Sequence, residues 1–126
     1  MAGYPEGCDD QDDHQLLLEH LKEKVDAGAT FIITQMFYDV DIFLEWVAKC
    51  RAIGITVPII PGIMPIQTYA AFMRRAVWTK CKIPERWLEV LEPVKNDDGA
   101  VRVVGKELIV EMCQKMLDAG IRHLHL

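Results

Sequence analysis

Apolar residues return along this chain in two rhythms, and the first is helical. Leu17, Leu18, Leu21 and Val25 form a stripe on one face of a helix. Phe43, Trp46, Val47 and Cys50 fall at i, i+3, i+4 and i+7 and predict a second helix, with Asp39 or Asp41 as its N-cap. A longer helix is predicted from about residue 98 to 119, with Asp97 and Asp98 at its start and Val104, Leu108 and Met112 turned inward. Shorter helices are predicted over residues 69–77 and after Pro84.

The second rhythm is a short apolar run that follows a glycine. Val25-Asp26-Ala27-Gly28-Ala29-Thr30-Phe31-Ile32-Ile33-Thr34 has the same form as Arg51-Ala52-Ile53-Gly54-Ile55-Thr56-Val57-Pro58-Ile59-Ile60. Leu117-Asp118-Ala119-Gly120-Ile121-Arg122-His123-Leu124-His125-Leu126 repeats it again. In each, a helix ends, a glycine takes the left-handed turn, and a buried parallel strand begins.

Helices alternating with buried strands predict an α/β fold around a parallel sheet. The pattern by itself fits a doubly wound sheet or a closed barrel. Neither G-x-G-x-x-G nor a P-loop occurs, which weakens the nucleotide-binding Rossmann reading. About four strands are expected, the first a remnant at residues 2–4. A closed β/α barrel needs eight strands and roughly 250 residues. The expectation is therefore half a barrel, entered at a strand's end and left on a strand with no covering helix.

Composition narrows the function classes. The chain has 126 residues, 51% apolar and 26% charged, as in a soluble globular domain. A net charge of −5 argues against nucleic acid as a partner. No apolar run is long enough to span a bilayer, and the first residues lack a signal-peptide pattern. Cys8, Cys50, Cys81 and Cys113 are widely spaced thiols, which suit a reducing compartment, so a cytosolic location is expected.

Six segments then point to a family. They are Gly3-Tyr4-Pro5-Glu6-Gly7, Leu21-Lys22-Glu23-Lys24-Val25-Asp26-Ala27-Gly28-Ala29 and Phe31-Ile32-Ile33-Thr34-Gln35-Met36-Phe37-Tyr38-Asp39. Ile59-Ile60-Pro61-Gly62-Ile63-Met64-Pro65-Ile66, Leu91-Glu92-Pro93-Val94-Lys95-Asn96-Asp97-Asp98 and the closing Gly120-Ile121-Arg122-His123-Leu124-His125-Leu126 complete them. In this order and spacing the chain resembles the methylenetetrahydrofolate reductase family over nearly its whole length.

The resemblance implies a (βα)8 TIM barrel, with residues 1–126 a partial catalytic domain holding strands five to eight. It implies FAD as cofactor and NADH or NADPH as hydride donor. The implied reaction reduces 5,10-methylenetetrahydrofolate to 5-methyltetrahydrofolate in one-carbon metabolism. The glutamate acting as general acid and the aspartate near the flavin belong to the family's first half. The chain alone is thus expected to be inactive, associating with the missing half or with copies of itself. A non-catalytic truncated paralogue or fragment is the alternative. An unrelated barrel enzyme such as an aldolase would need its own strand-end chemistry, and no lysine stands at an expected strand end.

Individual residues carry two readings each. Gln35 ends a buried strand, where barrel enzymes place their sites, and its amide both donates and accepts. The resemblance makes it a folate contact, and a nicotinamide contact in the other half-reaction; the plain alternative is a polar strand end meeting solvent. His20 and Lys24 lie four apart on one helix face. The resemblance assigns them FAD ribose and phosphate; the alternative is a solvated face with Glu19, Lys22 and Glu23. Tyr4 is implied to lie beside the flavin, with Ala2 and Gly3 supplying backbone nearby; the alternative is a packed turn at Pro5, which Glu6 orients. Cys8 stands where the family has a histidine, and Leu17 where it has an aspartate; both positions contact FAD there. Leu17 accepts no hydrogen bond from a ribose, and the acidic run Asp9, Asp10, Asp12, Asp13 would repel pyrophosphate. Gln67, Tyr69, Ala71 and Arg75 are candidates for the folate side, with Ala71 where some members carry an amide, though Tyr69 and Phe72 read better as core. His123 and His125 alternate along a strand and read as packing rather than metal ligands. Trp46, Trp78 and Trp87 read as core or interface.

Overall fold

The computed structural model describes residues 2–6 and 13–126, excluding the side chain of Ala2. Three parallel strands form a sheet in chain order: β1 (Ala2–Gly3), β2 (Ile32–Thr34) and β3 (Ile59–Ile60). Ala2 pairs with Ile33 and Gly3 with Thr34; Ile32 pairs with Ile59 and Ile33 with Ile60. Past β3 the sheet gains one more parallel step. The Ile63 amide donates to the His125 carbonyl at 2.8 Å, and the His125 amide to the Pro61 carbonyl at 3.0 Å. The expected fourth strand is thus a single bridge at His125, and both His123 and His125 are exposed.

Five α-helices among the described residues connect and flank these strands: α1 (His14–Asp26), α2 (Val40–Ala52), α3 (Tyr69–Thr79), α4 (Glu85–Leu91) and α5 (Asp98–Asp118). Each long helix starts on a side chain that satisfies its free amides. Asp13 accepts from Gln15 and Leu16 amides at 3.0 and 3.2 Å. Asp39, rather than Asp41, caps α2, accepting from the amides of Asp41 and Ile42. Thr68 caps α3 through the Ala71 amide and Asp97 caps α5 through the Ala100 amide. The repeated glycine is the matching stop signal. Gly28, Gly54 and Gly120 have φ of 120°, 91° and 95°, a region that a Cβ penalises.

The helices cover one face of the sheet. Ile32 and Ile59, side by side in register, are buried, whereas their neighbours Ile33 and Ile60 on the other face are only half-buried. Leu18 and Leu21 of α1 and Phe43 and Trp46 of α2 fill the covered side. Leu108, Met112 and Met116 extend it from α5. A second centre lies beyond β2, where Tyr38 meets the rings of Phe72 and Trp87 at centroid distances of 4.9 and 5.3 Å. Phe37 stacks on Phe43 at 4.5 Å. Trp46 and Trp87 are core, but Trp78 is 73% exposed. It sits on the outer face of α3 beside the equally exposed Val77, so helical position placed it away from the core. Lys22 pairs with Asp26 one turn on, rather than with Glu19.

Candidate functional site at the strand ends

Three chain segments converge where the strands end. The Gln35 amide donates to the Gly3 carbonyl at 2.7 Å, tying the end of β2 to that of β1. The Gly62 amide donates to the Thr34 hydroxyl at 3.0 Å, tying β3 to β2. A Cβ on Gly62 would stand 2.4 Å from the Thr34 carbonyl oxygen, so only glycine lets these backbones approach. Thr34 is the only buried polar or charged residue among those described, and this bond satisfies it.

The segment after β2 divides its labour by residue. Phe37 and Tyr38 are buried anchors, and Asp39 caps α2. Burial pushes the Tyr38 phenol up to about 12. The Met36 carbonyl accepts from the Cys81 thiol at 3.2 Å. Gln35 alone in this stretch is exposed. Its backbone is held from both sides, and its amide group is presented on a rigid base.

Gly3, Tyr4, His20 and Lys24 come together around one cavity of about 180 Å³, with Leu17, Leu21 and Trp46 completing its wall. Among the described residues, one cation, one imidazole and one phenol ring thus meet an apolar floor, with no carboxylate in the wall. That is a lining for an anionic group carrying flat ring surface. Leu17 contributes only apolar surface there. Gly3 also has a packing reason: a Cβ would come within 2.6 Å of the Trp46 ring. The glycine therefore lets α2 close on the sheet as well as opening the cavity.

Gln35 and Ala71 are not part of this wall. Ala71 lies in the first turn of α3, its amide engaged by the Thr68 hydroxyl at 3.1 Å. Gln67 is exposed, Arg75 and Tyr69 are half-buried, and Phe72 is core. Cys8 lies outside the described residues, as do Asp9, Asp10 and Asp12. Asp13 has a structural task as the cap of α1.

Two contributors had no local signal in the sequence. Trp46 reads as ordinary core by its helical spacing, yet its ring edge forms part of the cavity. Glu6 does more than orient its own turn. Its Oε1 accepts from the Lys82 amide at 2.8 Å, across 76 residues of chain. Its Oε2 is buried with no hydrogen bond within donor–acceptor distance among the described residues. Burial raises the Glu6 carboxyl above its ordinary range, against the pull of the Lys82 amide and the Cys81 thiol.

Comparison with known proteins identifies the family. The family model for methylenetetrahydrofolate reductase matches residues 1–126. Methylenetetrahydrofolate reductase 1 of Schizosaccharomyces pombe is 58% identical over 99% of this chain, which spans 21% of that protein. Methylenetetrahydrofolate reductase 2 of Saccharomyces cerevisiae is also 58% identical, with the whole chain spanning 22% of it. A methylenetetrahydrofolate reductase (NADH) of Arabidopsis thaliana is 49% identical, again over the whole chain and 23% of its own length. The chain thus spans about a fifth of the length of these relatives. Among solved structures, an uncharacterized protein from Clostridium thermocellum that binds two copies of 5-methyl-5,6,7,8-tetrahydrofolic acid superposes with a TM-score of 0.57. The match covers 98% of this chain and 43% of that one at 18% identity, a likeness of fold. With its ordered motifs and a family match from end to end, this chain belongs to the methylenetetrahydrofolate reductase family of enzymes.

Proposed function

We propose that this chain supplies part of the flavin and folate surface of an enzyme that reduces 5,10-methylenetetrahydrofolate to 5-methyltetrahydrofolate. The observation that carries this reading is Gln35. It is a polar, exposed side chain at a strand's C-terminal end, between a clamped backbone and two buried aromatic anchors. An amide held in this way can donate and accept at once, which matches the edge of a pterin ring. The family's relatives include enzymes described as using NADH and one described as using NADPH, so the hydride donor is a nicotinamide nucleotide of either kind. The Clostridium thermocellum neighbour, with its bound folates, supports a folate as the ligand class.

FAD fits the neighbouring cavity in part. Lys24 and His20 would hold its phosphate and ribose groups, and Tyr4 would lie along a ring face. When bound, FAD would relay a hydride from the nicotinamide to the folate. Leu17 gives no polar grip, so Lys24 carries more of the binding here than it would beside an acidic partner. The strands run parallel in chain order with no reversal among the described residues, as consecutive staves of a β/α barrel do. We place the rest of that barrel, including its general acid, outside residues 1–126, in a cytosolic enzyme.

The test is Gln35→Glu in the complete reductase carrying this segment. A carboxylate loses the donor half of the amide and adds charge. The folate half-reaction should slow by about tenfold or more, while flavin reduction by the nicotinamide changes less. Unchanged folate turnover in stopped-flow absorbance would remove Gln35 from the site.

A further inference from the structure

The Glu6 carboxylate joins three segments that are remote in sequence. It follows directly on Tyr4-Pro5 at the end of β1. Its Oε1 takes the Lys82 amide at 2.8 Å, in the connection between α3 and α4. The neighbouring Cys81 thiol lies against Glu6 and donates to the Met36 carbonyl at 3.2 Å, one residue past Gln35. Thr79 backs the sulfur at 2.7 Å and also reaches the Arg75 carbonyl at 2.7 Å. In the contact between Thr79 and Cys81 either the hydroxyl or the thiol can be the donor. Burial keeps that thiol protonated, its pKa pushed up to about 11.

We propose that Glu6 and Cys81 are positioning residues that latch the α3–α4 connection to the ends of β1 and β2, and so set the placement of Gln35 relative to Tyr4. This rests on the reading of Gln35 as a folate contact. A bond from the end of β1 to Lys82 and another from Cys81 to Met36 leave the Gln35 peptide little freedom to tilt. Truncating either residue frees the loop without touching a ligand. Glu6→Gln keeps a carbonyl acceptor for the Lys82 amide and should restore the latch.

The experiment uses the complete reductase and two readouts, iodoacetamide labelling of each cysteine resolved by peptide mass, and steady-state kinetics. In Glu6→Ala, Cys81 should label about tenfold faster and KM for methylenetetrahydrofolate should rise about tenfold, with kcat within about twofold. Glu6→Gln should return both values to near wild type. Cys81→Ala, a small truncation, should raise KM in the same way with the flavin spectrum unchanged. Buried Cys50 is the control: parallel acceleration at Cys50 would mark general loosening and overturn the proposal. So would wild-type KM in both Glu6→Ala and Cys81→Ala. A raised KM in those variants beside an unaffected Gln35→Glu enzyme would support the latch and overturn the role of Gln35, which keeps the two failures apart.

Discussion

Thr34 illustrates how single residues serve the site. A threonine in a short apolar strand reads as one more β-branched residue. In the fold its hydroxyl is the acceptor for the Gly62 amide, in a place that water does not reach. Thr34→Val keeps the shape and removes the acceptor, leaving a buried amide unpaired. The expected cost is about 1–3 kcal/mol of unfolding free energy, read from the urea midpoint. An unshifted midpoint would mean that Gly62 finds another partner. Gln35 is the opposite case at this scale. Its position after an apolar run was visible in the sequence, and so was its resemblance to a folate contact. Its rigidity was not, because the bonds that hold it come from Gly3 and, through Met36, from Cys81.

At the scale of elements, helix boundaries were the most legible feature, because they are set locally. Caps act within a few residues, so Asp39 or Asp41 announces α2 and the pair Asp97 and Asp98 announces α5, and the fold selects Asp39 and Asp97. The expected end of α5 differs from the observed one by a single residue, at Ala119 against Asp118. Asp97→Ala removes the acceptor for the Ala100 amide and should lower stability by about 1 kcal/mol. Thermal unfolding followed by circular dichroism checks it, and an unchanged melting temperature would show another group doing the capping. Strands were less legible. The run 121–126 has the same pattern as the segment before β2, yet it pairs only at His125. A strand needs a neighbour along its length, and no local pattern states how much neighbour there is. Trp78 was expected as core or interface, and its exposure excludes only the core; its helix was foreseeable, but which face of α3 meets the core was not.

For the whole molecule, the governing fact is a sheet covered on one face only. Ile33 and Ile60 are half-buried on the open side, and β1 and the His125 bridge form the two edges of the described sheet. Unpaired edges and open apolar faces promote pairing between chains. Residues 1–126 alone should therefore self-associate, giving a weight-average mass that rises with concentration in sedimentation equilibrium. A concentration-independent monomer with a sharp cooperative melt would show that the open face is stable in water.

The sequence by itself determined the α/β class, the places where helices begin and end, and the family. These follow from local chemistry, namely caps, left-handed glycines and apolar spacing, and from motifs whose order survives in the linear chain. Only the tertiary structure decided which residues share a cavity and what holds them. Gly3, Tyr4, His20 and Lys24 meet because the end of β1 and α1 line one cavity, and Trp46 joins them from α2. Glu6 reaches Lys82 across 76 residues because parallel strands bring their ends to one side of the sheet. Contacts of that range depend on chain closure, which no short stretch of sequence encodes.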